Sequence, residues 1–180
     1  MAVLPYPPAA SAIVIDLSAI AVIGRTPSVL RALLLDLPSE LIDAPNNEGW
    51  SLKDIVAHLV DAEDIAFVER ISRILNEEMP AIASIDPPAR LKAGGYAART
   101  LWDLIDDLQH QREQHGGWLR GLSPDQLARA GHHDEVGEIR VVDIAHQWAA
   151  HDIAHLRQIA LMIQQHVAPL MGATRAFYDV

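Results

Sequence analysis

Apolar residues recur at intervals of three and four along most of this chain, and no stretch of useful length alternates them as a half-buried strand would. That periodicity constrains the fold more than any other feature. A chain of 180 residues patterned this way has to bury one stripe from each of several helices in a shared core. Half of the residues are apolar, which is enough for one domain with a sizeable interior.

Four long segments carry the pattern. In the first, apolar residues run over 13–23 and resume over 29–37, ending at Pro38. Gly24 and Arg25 interrupt it, and Thr26-Pro27 reads as an N-cap followed by proline at the first helical position, so a kink or division is expected there. The turn residues Pro45, Asn46, Asn47 and Gly49 mark a loop over 43–49. Ser51 with Asp54 three residues on reads as the start of a second helix over 52–76, with Ile55, His58, Ala62, Ile65 and Glu69 on one stripe. A third helix is expected over 97–120, its face formed by Leu101, Leu104, Ile105, Leu108, Arg112, His115 and Leu119 and its last turns weakened by Gly116-Gly117. A fourth is expected over 141–167, with Ile144, Trp148, His151, His155, Ile159 and Met162 inward. Residues 79–95 and 122–138 read as long connections, the latter with one short helical turn after Ser123-Pro124.

The expectation is an all-α, four-helix bundle with long connections. One domain is placed over 13–170. An extended, disordered lead-in containing Pro5, Pro7 and Pro8 precedes it over 1–12, and a tail follows over 171–180.

A formal charge of −10 disfavours nucleic acid, which rewards neutralised phosphates, and anionic membrane surfaces. Residues 9–23 are nearly all apolar, but no Lys or Arg precedes Arg25 and Asp16 interrupts the run. A secretory signal would have a basic start and a spanning helix would be longer, so the segment reads as a bundle helix. The absence of cysteine removes disulfides, thiolate zinc sites and a cysteine nucleophile, and suits a reducing cytoplasm.

Three histidines stand on these apolar stripes. His151 and His155 are four residues apart, so their rings lie one above the other on one helix face, and His58 can approach from another helix. Such an arrangement lets three nitrogens bind one ion at about 2.0–2.1 Å and leaves a coordination position open, as in catalytic rather than structural sites. Neutral imidazole suits Zn, Ni, Cu and Fe rather than Mg or Ca. The alternative is that each histidine is a core residue with its own hydrogen-bond partner. His146 is five residues before His151, roughly 140° away around the helix, and falls outside the group.

Other polar residues frame these three. Asp61, one turn after His58, could orient a ligand or accept a proton in the site, or be a solvated carboxylate. His132 and His133 precede the fourth helix and could line a pocket mouth and move protons. His115 is the best candidate for an additional ligand. Arg112, unusual on an apolar stripe, calls for a carboxylate across the bundle or an anionic substrate group.

Trp50-Ser51 leading to His58-Leu59 and Asp61-Ala62-Glu63 resembles the second helix of the DinB-like superfamily of bacterial four-helix-bundle proteins. Gly131-His132-His133, Gly137 and the run Ala150-His151-Asp152-Ile153-Ala154-His155-Leu156 resemble that superfamily's loop and HxxxH fourth helix, and residues 30–40 resemble its first-helix ending. The likeness covers about residues 15–166. It implies an up-down-down-up bundle, commonly a homodimer, with zinc or nickel held by His58, His151 and His155. It also implies a cytoplasmic enzyme acting on small molecules, either a hydrolase or a transferase using a low-molecular-weight thiol. The competing expectation is a non-catalytic, metal-stabilised bundle serving as a binding or stress-response module.

Overall fold

The computed structural model describes residues 13–178; the expected lead-in over 1–12 lies outside them. Helix α1 spans Leu17–Leu34, with the Asp16 side chain capping its start by accepting from Ser18 N–H at 2.7 Å. It runs through Pro27, so the expected division at 24–27 is not found, and Thr26 is buried in the helix rather than capping a new one. Pro27 has no N–H to offer the Ile23 carbonyl four residues back. Arg112 Nη1 donates to that carbonyl instead, at 3.1 Å, which accounts for a proline tolerated in mid-helix.

A short helix α2 (Ser39–Ile42) leads to α3 (Leu52–Ala62), whose start is closed by the reciprocal Ser51–Asp54 capping box. The expected single helix over 52–76 is interrupted by a π-helical turn, Glu63–Val68, before continuing as α4, Glu69–Asn76. One residue more per turn shifts the inward face. From His58 and Ala62 the buried stripe steps five residues to Phe67 and continues at Ile71 and Ile74, leaving Glu69 exposed. The π-turn also places Glu63 wholly inside.

The expected connection over 79–95 folds a strand β1 (Ala81–Ile82) and a helix α5 (Pro87–Ala93), followed by a 3₁₀ turn at Tyr96–Ala98. Helix α6 spans Leu101–Arg120, started by a Thr100–Asp103 capping box and continuous through Gly116-Gly117. Helix α7 (Pro124–Ala128) is the turn expected after Ser123-Pro124, and α8 spans Val141–Val167 as the periodicity predicts. Past α8 the chain makes 3₁₀ turns over Ala168–Phe177, divided by a kink at Gly172 (φ +55°), so the expected tail from 171 is largely turn-structured.

The contacts give the topology. Helix α1 is antiparallel to α6, since Ile23 meets Arg112 and Arg31 meets Asp106. It is parallel to α8, since Asp16 meets His146 and Thr26 meets Asp152. Helix α3 runs parallel to α6, with Lys53 reaching Ala97 and Glu63 reaching Arg112, and antiparallel to α8, with His58 against His151 and Phe67 against Trp148. This is an up-down-down-up four-helix bundle. By length and composition α1 could cross a membrane, yet Ile23, Leu30 and Leu34 are fully buried in the bundle core.

The apolar interior is in two parts. One gathers Ile23, Phe67, Ile71, Ile74, Val141 and Trp148; the other gathers Leu30, Leu34, Leu52, Ile55, Leu104, Leu108 and Ile159. Buried polar side chains lie where they meet. Arg112 Nε donates to Glu63 Oε2 at 2.5 Å, while Nη1 and Nη2 donate to the two Asp152 oxygens at 2.5 and 3.0 Å. The guanidinium also lies over the Trp148 ring, 5.1 Å from its centroid. The Thr26 hydroxyl reaches Asp152 Oδ2 at 2.7 Å, and His115 Nδ1 is 2.7 Å from Glu63 Oε1. His115 therefore joins this ionic layer, not the group of three histidines.

No strand was expected, but three short ones form a sheet in the order β1-β2-β3, with β2 at Ala130–His133 and β3 at Gly137–Arg140. β1 and β2 are parallel, and β2 and β3 form a hairpin in which Gly137 adopts φ +79°. At Gly131 a Cβ would come within 3.0 Å of Ile74 Cγ1 and the Pro80 carbonyl, so the strand lies closer to α4 than a side chain permits.

Replacing Arg112 with Met leaves two carboxylates and the Ile23 carbonyl buried without their cation. The expected loss is about 3–5 kcal/mol of unfolding free energy, read by urea denaturation. A loss below about 1 kcal/mol would show that the layer contributes little.

Candidate metal centre

His58 projects from α3 and His151 and His155 from successive turns of α8. His58 Nε2 is 3.0 Å from His151 Nε2, which is 3.2 Å from His155 Nε2. One nitrogen from each ring lies within 4.8 Å of the others, the one group of three His, Asp or Glu with such spacing among the described residues. Nitrogens at about 2.0–2.1 Å from a common ion stand roughly 2.9–3.4 Å apart for right-angle to tetrahedral coordination. The two closest separations fit that range.

The protonation states suit an ion as well. His155 Nδ1 faces Gln158 Oε1 at 2.9 Å; an amide oxygen only accepts, so the proton is on Nδ1 and Nε2 presents a lone pair. His151 Nδ1 is buried without a hydrogen-bond partner, so the only groups that face this ring's nitrogens are the other two imidazoles at Nε2. Without an ion, three converging nitrogens hold more lone pairs than available protons can bridge. Burial, with His155 adding to it, draws His58 down to about 4 against a weak opposing pull from Asp61. Burial and then His155, His58 and Arg112 draw His151 down to about 3, and burial also lowers His155. At neutral pH all three are uncharged, the form that binds metal.

Two of these rings, His58 and His151, open onto a cavity of about 330 Å³ also bounded by Ile65 and Phe67 of the π-turn and by the hairpin residues His133, Val136 and Ile139. His133 is buried and lines it. Its Nδ1 stands 3.2 Å from the Glu135 N–H and 3.2 Å from Asp134 Oδ1, so the hairpin fixes the orientation of the ring while a donor and an acceptor compete for this nitrogen. The adjacent Asp134 carboxylate is held by Ser84 N–H and Oγ at 2.9 and 2.6 Å, tying the hairpin to the segment after β1. His132 is exposed, and His146 accepts from Asp16 N–H at the start of α1.

Asp61 also lines the cavity, but its oxygens are engaged. Arg90 of α5 donates to both, at 2.8 and 2.9 Å, and Tyr96 Oη donates at 3.0 Å. Burial alone would raise this carboxyl; the Arg90 and Tyr96 hydrogen bonds outweigh it and the net shift is downward. Burial, reinforced by Asp61, pushes Tyr96 up to about 12. Sequence reasoning missed Arg90 and Tyr96, which come from a segment read only as a connection.

A model of the DinB superfamily matches residues 23–159. A protein of Oceanobacillus iheyensis named "Putative metal-dependent hydrolase" is 28% identical over 145 residues, spanning 77% of this chain and 80% of that protein. Among solved structures, YfiT from Bacillus subtilis, described as "a probable metal-dependent hydrolase with an unusual four-helix bundle topology", superposes with a TM-score of 0.76. It is 22% identical, over 89% of this chain and 93% of that one, and the likeness is one of fold.

The histidine shifts set a pH dependence for the metal-free protein. An unfolded chain takes up protons at these residues below about pH 6.5. The folded site resists until about 4 at His58 and about 3 at His151. Stability from this source is therefore complete above pH 6.5 and declines as pH falls through that interval. Urea midpoints of metal-stripped protein should drop steeply there, and less so for His58→Phe; identical pH profiles for the two would refute the assignment.

Proposed function

This chain belongs to the DinB superfamily, and from that premise we propose that it is a metal-dependent enzyme acting on a small molecule, with His58, His151 and His155 as ligands of zinc or nickel. The observation that carries the reading is the convergence of three uncharged imidazole nitrogens beside a cavity large enough for a substrate, with His58 and His151 in its wall. A divalent ion there supplies Lewis acidity, making a bound water or thiol more acidic and polarising an electrophile. Hydrolysis is the reaction we favour, and transfer to a low-molecular-weight thiol is the alternative within the same chemistry.

The chain's own residues divide the remaining work. His133, with Nδ1 turned to the Glu135 N–H and the Asp134 carboxylate, is the side chain we assign to proton transfer at a substrate oxygen or leaving group in the cavity. Asp61 is a poor proton acceptor, being held ionised by Arg90 and Tyr96; we assign it to positioning. It pins α5 beside the cavity, where Pro87 forms part of the wall. A cytoplasmic homodimer completes the proposal, supported by Leu17, Val29 and Ile153 standing exposed on α1 and α8. A monomer by light scattering at tens of micromolar would remove the dimer and leave the site untouched.

Elemental analysis of untagged protein grown with metal should find close to one zinc or nickel per chain, and His151→Ala should lose it while His166→Ala keeps it. Across ester, amide and thiol–electrophile panels, turnover should fall by at least about a thousandfold in His151→Ala. Bound metal with no turnover on any panel would favour a non-catalytic module. For Asp61→Asn the expected outcome is a raised KM with an unaltered shape of the kcat–pH profile. A lost acidic limb would return Asp61 to the role of base.

A further inference from the structure

The cavity beside the three histidines does not end there. It shares Ile65, Arg70, Ser84 and Ile85 with an adjoining groove of about 520 Å³, which continues between α4 and α5 past Arg73 and Arg90. Three arginines face this second space beside Glu69 and Asp86, and the partners of the arginines differ. Arg73 is bidentate to Glu77 at 2.9 and 3.1 Å, and Arg90 is bidentate to Asp61. Arg70 donates to the Ala83 carbonyl at 2.9 Å, and among the described residues no carboxylate comes within ion-pair distance of it.

We propose that Arg70 is the specificity-determining residue of this site, and that it binds a carboxylate on the substrate at the junction of the two chambers, away from the histidines. The inference rests on the metal-site reading above. Arg70 is half-buried and contributes to both walls, so a bound anion would meet a partly desolvated guanidinium. There a charge-assisted hydrogen bond is worth more than at an open surface. Burial draws its pKa down against the pull of Asp134, Glu69 and Glu135, so the group gains from a closer counter-ion than these provide.

A carboxylate fits better than a phosphate. One guanidinium balances one negative charge, and the surrounding Glu69, Asp134 and Glu135 would oppose a dianion. The π-turn is what brings Arg70 to the cavity. In an uninterrupted helix Glu69 would continue the His58–Ala62–Ile65 stripe; here Arg70 reaches the inner cavity and Glu69 lines only the outer groove.

Hydroxamates, which bind zinc and nickel directly, test this without knowledge of the reaction. Succinate, glutarate and adipate monohydroxamates would be titrated by calorimetry into metal-loaded protein, beside the hydroxamates of equal length that end in methyl. At least one carboxylate-tailed probe should bind about tenfold or more tighter than its methyl counterpart. Arg70→Met should abolish that difference while leaving the methyl-tailed affinity, and hence the cavity, unchanged; Arg70→Lys should restore part of it. Equal affinities for both tails in the wild type would overturn the role of Arg70 and leave the metal centre standing. A phosphonate-tailed probe binding tighter than any carboxylate would overturn the substrate class. Protein that takes up no zinc or nickel would remove the metal reading and this inference together, whereas metal-loaded protein that binds no hydroxamate would overturn this inference alone.

Discussion

The bundle turns on one buried guanidinium. Arg112 donates to Glu63 of the π-turn, to Asp152 of α8 and to the Ile23 carbonyl of α1, so a single side chain of α6 joins the other three helices. Such a layer gains little net energy over apolar packing, because desolvating three ions costs nearly what their attraction returns. What it adds is alignment. Apolar stripes slide and rotate past one another with small changes in energy, whereas a fork of hydrogen bonds has one register. The layer sits where the two apolar clusters meet, which makes it the reference point for both halves of the core.

Alignment matters because the ionic layer and the histidine group occupy neighbouring positions on the same helices. Asp152 follows His151 and points about 100° away from it around α8. With Asp152 held by Arg112 and Thr26, the rotation of α8 is set, and with it the direction of His151 and His155. Glu63 does the same for the helix carrying His58, one residue beyond Ala62. The imidazoles are thus brought together by contacts they do not make themselves, and the cluster is pre-organised to accept a ligand.

The parts legible in the sequence are those in which local periodicity and burial agree. The α8 stripe runs from Ile144 through Trp148, His151 and His155 to Ile159 with unbroken helical spacing, and the helix forms over those residues. Periodicity put His58 on an inward stripe, but its meeting with that pair came from the family resemblance, since the residues alone left a core histidine equally open. The π-turn was hidden because an extra residue leaves no mark in composition; the evidence for it is that Phe67, Ile71 and Ile74 are buried where an ideal helix would bury Ile65 and Glu69. The continuity of α1 was hidden because Thr26-Pro27 has the form of a helix start, and only a distant arginine compensates for the missing N–H. The sheet escaped because its strands are four residues or fewer, too short for a period of two to register, and are held by pairing with distant segments. Asp61 was visible as a carboxylate near His58, but its partners Arg90 and Tyr96 come from about thirty residues on, through a loop whose path no periodicity encodes.

The charge of the site runs against the charge of the chain. At −10 the protein repels small anions at a distance, but at physiological ionic strength that field decays over a Debye length of about 8 Å. Inside the two chambers the balance is local. Asp61 is paired with Arg90 and Glu77 with Arg73, three histidines are uncharged, and Arg70 faces the junction among Glu69, Asp86 and Glu135, none of them at ion-pair distance from it. Whatever such a site selects, it selects after entry, by short-range hydrogen bonds and fit, and gains little from steering. Among the described residues Arg70 is the one arginine on these walls with no carboxylate at ion-pair distance, and a substrate carboxylate has to bind it against Glu69 and Glu135, which line the same chambers.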